Sequence, residues 1–145
     1  MSRLRAASIH MFICAIVGAV LLALFWFVWY PAPLFRAVGG LDIFLMLLGI
    51  DVVLGPLLTL IVFKAGKKTL KFDLGVIALL QMTALAYGVY TLLIARPVYL
   101  AGLGHRFDVI HANDVSEASL KLANTSLPWT GPIWTGIEPP SDPKE

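Results

Sequence analysis

Charge is scarce in this chain. Only 14% of the residues are Asp, Glu, Lys or Arg, and the formal net charge is +2. Soluble domains carry about 25% charged residues, so a water-soluble globular enzyme is a poor fit. Eleven bases against nine acids form no basic excess, and without a basic face there is no case for a nucleic-acid partner. The single cysteine, Cys14, excludes an internal disulfide or a thiolate cluster. It lies in an apolar run, where a thiol behaves as a small hydrophobe. No phosphate-binding glycine loop, H-E-x-x-H, CxxC or Ser/His/Asp set can be found. The sequence therefore offers no carrier for enzyme activity, and no cofactor is implied.

What the chain does have is apolar length. Hydrophobic residues make up 59% of the 145, and the mean hydropathy is +0.83. A folded chain of this size still leaves about a third of its surface exposed. The surplus needs a second apolar solvent, which a bilayer supplies. Three runs are long enough to cross one as helices: about 9–30, 41–63 and 74–95. A spanning helix needs about 20 apolar residues. None of the runs alternates as a barrel strand would. The first run is longer than a signal-peptide core and ends in FWFVWYPAP, an aromatic belt, so it reads as a retained anchor. The fold class expected is an all-α membrane protein. Its bundle occupies 1–95 and a short, mostly irregular tail occupies 96–145.

Basic residues in short loops stay cytoplasmic. Arg3 and Arg5 precede the first run, and Lys64, Lys67, Lys68 and Lys71 lie between the second and third. That places the amino terminus and the lysine loop inside, and the tail outside, in the periplasm of a two-membrane bacterium. Asp73 is placed to cap the third helix. Asp42, beside Gly39 and Gly40, suits the positive end of the second helix.

Asp51 carries more information than any other residue. It falls near the middle of the second run, where a bare charge costs from about 2.5 kcal/mol upward. Gly49 and Gly55 permit close helix approach, and Pro56 withholds a helical N–H and so invites a kink. By depth from the lysine end, Tyr87 is the best-matched internal partner for Asp51, then Thr83. Gln81 falls lower, and His10 lies at the cytoplasmic edge. Three roles stay open: a structural acid, an acid that meets a polar group on another protein's helix, or an ion or proton carrier in a small transporter. An intramembrane protease is excluded, because Asp42 and Asp51 are about 13 Å apart along one helix.

In the tail, HRFDVIHAND allows one short strand. Asp114 with Glu117 resembles a capping box for a short helix, whose Val115, Ala118, Leu122 and Ala123 would face the bundle or the membrane. Trp129 and Trp134 suit the membrane interface or a partner. His105, Asp108 and His111 lack a metal-binding spacing, so no metal site is expected.

Several motifs in the chain resemble those of the TfpX/TfpZ type IV pilin accessory proteins of Gram-negative bacteria. They are Trp29 to Pro31, Asp51 with Gly55 and Pro56, Lys67 to Asp73, Gln81, Tyr87 with Gly88, Arg96 to Val98 and Ser126 to Pro132. The resemblance implies an inner-membrane helper that acts with a major type IV pilin on its stability or assembly, with the assembly platform as a further partner. A groove formed by spans two and three and lined by Asp51, Gln81 and Tyr87 would hold the pilin's membrane stem, and the tail would touch its head.

Overall fold

The computed structural model describes residues 2–103 and 106–136. Helix α1 (Arg3–Leu24) starts at Ser2, whose hydroxyl accepts the Arg5 amide at 3.2 Å. It ends in a π turn, Phe25–Trp29. After a single helical turn, α2 (Leu34–Ala37), follow α3 (Gly40–Val62) and α4 (Leu70–Ile94). Among the described residues, three helices are long and apolar enough to cross a membrane, which marks a multi-pass membrane protein. Their outward side chains agree: Phe12, Val53 and Leu79 are each at least 60% exposed, which is tolerable against lipid and costly against water.

Helix α3 is the middle member and packs on both α1 and α4. Glycines make the approach possible. A Cβ at Gly18 would collide with Leu48, and one at Gly88 would collide with Leu47. Two adjacent leucines of α3 thus sit in notches on its two neighbours. Lipid tails provide no hydrophobic drive for helix association, so close packing of this kind is what holds such helices together.

The end of the bundle nearer the tail is sealed by aromatic rings. The wide π turn, closed by the Tyr30 amide on the Phe25 carbonyl at 2.7 Å, brings Phe25, Trp29 and Tyr30 onto one face. They pack with Phe35, Phe44 and Leu92 into a buried cluster. Phe25 meets Phe44 edge-on at 5.4 Å, a favoured quadrupole geometry. The last carbonyls of α4 have no helical donors, and side chains from elsewhere serve them. Tyr30 donates to Leu92 O at 2.6 Å, Arg96 to Leu93 O at 2.9 Å and His111 Nδ1 to Ala95 O at 2.7 Å.

The tail differs from the expectation of a mostly irregular segment. It holds β1 (Pro97–Leu103), β2 (Arg106–His111), α5 (Glu117–Leu122) and β3 (Ile133–Gly136). The strand order is β2-β1-β3, antiparallel then parallel. The expected strand exists as β2. Its partners carry no strand signal of their own, because VYLAGL reads as an extension of the apolar run before it, and IWTG is short and lies among prolines. Asp114 does not cap α5. Its carboxylate accepts the His111 amide at 3.0 Å, and Ser116 caps the helix through the Ser119 amide at 3.1 Å. No residue of α5 is buried, and Leu122 is 92% exposed. Helix α4 starts at Leu70 on Thr69 rather than at Asp73. The Asp73 carboxylate is instead held by Lys67 at 2.6 Å and the Thr69 hydroxyl at 3.1 Å. Asp42 lies in the first turn of α3, as expected, and α3 runs unbroken through Pro56.

Candidate functional site

Asp51 is buried at 8% exposure in the middle of α3. Its neighbour across the helix interface is Gln81 of α4, whose amide donates to the Asp51 carbonyl at 3.0 Å. Depth counted from Leu74, the start of the third apolar run, favours Tyr87 as the partner. With α4 starting at Leu70, Gln81 is eleven residues from one helix end and Asp51 eleven from the end of α3. At about 1.5 Å per residue, both sit about 16 Å from the lysine-loop side. Tyr87 is six residues beyond Gln81, roughly 240° around the helix at 3.6 residues per turn. It points outward and is 72% exposed. Thr83 also turns away and bonds to its own helix at Leu79 O, 2.8 Å.

Gly55 seats the glutamine. A Cβ there would overlap the Gln81 carboxamide, with which the bare glycine is in contact. Gly55 and Pro56 are both buried. Pro56 has no N–H to give the Val52 carbonyl, and the neighbouring Asp51 carbonyl takes a donor from outside the helix, the Gln81 amide. Gly49 plays no such part, since nothing lies within 4 Å of where its Cβ would be.

From this point a groove of about 170 Å³ runs between α1 and α4, with α3 as its floor. Its walls are mainly apolar, and its polar members are His10, Cys14, Asp51 and Gln81. Cys14 Sγ lies 3.8 Å from Gln81 Nε2. His10 Nδ1 is tied to the Thr59 hydroxyl at 2.6 Å. The other carboxamide atom, Gln81 Oε1, is buried with no hydrogen-bond partner. The first helix therefore contributes a whole wall to a groove that was expected from spans two and three alone. Neither Cys14 nor His10 stood out in the sequence, because a lone thiol or imidazole in an apolar run is the ordinary content of a helix. The notch glycines Gly18 and Gly88 were the available signal.

Two further candidates lie in the tail. The Trp129 ring meets Trp29 edge-on at 6.1 Å, and the Arg96 guanidinium lies 5.7 Å from its centroid. Arg96 also donates to Pro128 O at 3.2 Å, and the Gly131 amide donates to Val28 O at 2.7 Å. The WYP, RPV and PWTGP motifs thus meet in one clamp that ties the tail to the bundle. Trp134 of β3 is elsewhere, edge-on to Phe107 of β2 at 5.1 Å, and both rings are more than 60% exposed. Gly102 of β1 lies beneath the Phe107 ring. His111 is engaged with Ala95 O and Asp108 with Arg106 at 3.5 Å. His105 lies outside the described residues.

Residues 1–40 match the family model described as fimbrial assembly protein FimB. A fimbrial assembly protein of Dichelobacter nodosus serogroups C1 and C2 is 38% identical over 96 residues, covering 65% of this chain and 73% of the relative. The chain belongs to the FimB fimbrial assembly protein family. The serogroup I protein of the same organism is 34% identical over 113 residues, 77% of this chain and 44% of that protein. The serogroup E1 protein is 36% identical over 96 residues, 65% of this chain and 37% of that protein. This FimB-family chain thus spans less than half the length of two of these relatives. No solved structure matches it.

Proposed function

We propose that this fimbrial assembly protein is a non-enzymatic factor of the bacterial inner membrane that binds a major type IV pilin through the pilin's membrane stem and promotes its stability or assembly. The observation that carries the reading is the groove between α1 and α4, apolar along its walls and polar at the Asp51–Gln81 floor. Helices in lipid recognise one another by close packing and by hydrogen bonds between them, and the groove provides for both. The lysine loop supports an orientation with the amino terminus cytoplasmic and the sheet periplasmic. There the exposed Phe107–Trp134 face meets the pilin head, or the assembly platform as a further partner. The resemblance to the TfpX/TfpZ accessory proteins points to the same role. Asp51 as an ion or proton site is the weaker reading, because the aromatic cluster around Phe25 and Phe44 closes the tail end of the bundle above it.

The test is purification from native detergent in cells that make the major pilin. Wild-type protein is expected to bring pilin with it. Recovery of protein without pilin, under conditions where both are present in the membrane, would remove the proposal.

A further inference from the structure

The groove is too small for a whole helix and the right size for part of one. At about 170 Å³ it compares with cavities of roughly 150 Å³ that hold a single benzene ring. A helix lying across α1 and α4 would therefore put one side chain into it and rest its backbone outside. The floor specifies what that side chain carries. Gln81 spends its amide on the Asp51 carbonyl, and its Oε1 is left buried with no donor. Asp51, 92% buried, lines the same groove, and its carboxyl supplies a second acceptor oxygen. His10, the imidazole on this groove, has its Nδ1 bonded to the Thr59 hydroxyl. An unsatisfied buried acceptor is costly, so a donor arriving from outside gains more here than on an apolar face.

We infer that the groove selects its partner helix by one side chain, an apolar stem ending in a hydrogen-bond donor, which reaches between α1 and α4 and is received by Gln81 Oε1 and the Asp51 carboxyl. The inference rests on the stem-binding reading above and adds the chemistry of the contact. A hydroxyl, amide or ammonium at mid-depth of the partner helix satisfies it, and a wholly apolar helix does not. The walls at Val17, Leu48 and Leu85 fit the stem, and the donor tip fits only at the floor.

The chain holds its own reporter. Cys14, its one cysteine, lines the groove next to Gln81. Single cysteines are scanned through the membrane segment of the major pilin of the same bacterium, in cells that carry the full-length assembly protein, and membranes are oxidised before gel analysis. Disulfides to Cys14 are expected at helical spacing around one donor-bearing pilin residue. Replacing that residue by leucine is expected to lower co-purification of pilin at least tenfold, while leucine exchanges one position away leave it within twofold. Gln81→Glu, which keeps an acceptor, is expected to retain more pilin than Gln81→Leu. Disulfides centred on apolar pilin positions, or a donor whose removal changes nothing, would overturn the inference and leave stem binding standing. The absence of any disulfide across the scan would overturn stem binding itself.

Discussion

Gly55→Ala should break the hydrogen bond from Gln81 to the Asp51 carbonyl without replacing either residue. The methyl group would occupy the space of the Gln81 carboxamide. That carboxamide is the tip of a flexible side chain, so the collision is relieved by swinging it out. The helices stay packed, and the bond from Gln81 to the Asp51 carbonyl at 3.0 Å is lost. Interhelical hydrogen bonds in membrane bundles are worth about 0.6 kcal/mol on average and up to roughly 1.7. A buried acceptor carbonyl belongs in the upper half of that range, so the expected loss is about 1 kcal/mol. A glycine-to-alanine change also raises helix propensity by roughly 1 kcal/mol, which would hide the effect in a single comparison. The double-mutant cycle removes this term. Gly55→Ala is compared in the wild type and in Gln81→Ala by unfolding in mixed micelles at increasing SDS fraction. The substitution should cost about 1 kcal/mol more when Gln81 is present. Gly49→Ala, where the new methyl meets nothing within 4 Å, should show no dependence on Gln81. A coupling between Gly55 and Gln81 below about 0.3 kcal/mol, the usual scatter of independent sites, would refute this account of the floor.

Other parts of the structure lead to further expectations. Tyr30→Phe deletes the donor to Leu92 O at 2.6 Å and should lower stability by about 1–2 kcal/mol in the same titration. Trp129→Ala removes an edge-on aromatic pair and a cation–π contact, together about 1–2 kcal/mol. Amide exchange at Gly131, bonded to Val28 O, should then quicken about 5–30-fold. Tyr87→Leu alters an outward side chain; stability should stay within about 0.5 kcal/mol and pilin recovery should be unchanged.

The three helices were legible because length and hydropathy are local properties of sequence. Asp51 was legible because an acid is expensive at mid-membrane wherever its neighbours lie. The identity of its neighbour was not. That depended on where α4 begins, and four residues of KAGKKTLKFD, read as loop, belong to the helix and shift every depth estimate by a turn. Likewise, Trp129 was visible as an interfacial aromatic, but its pairing with Trp29 and Arg96 joins segments about 100 and 30 residues apart. The sheet was hidden for the same reason, since β3 reaches β1 only across the loop that carries α5. Local pattern exposes what a residue costs, whereas tertiary pairing decides who meets it.

The central claim is that the acid at mid-membrane works by receiving the stem of a pilin. It is tested most directly by counting surface pili and following pilin turnover in cells carrying Asp51→Leu, with the variant present in membranes at the wild-type level. The account predicts at least a tenfold fall in pili with faster loss of pilin. Unchanged pilus number and unchanged pilin lifetime would contradict it.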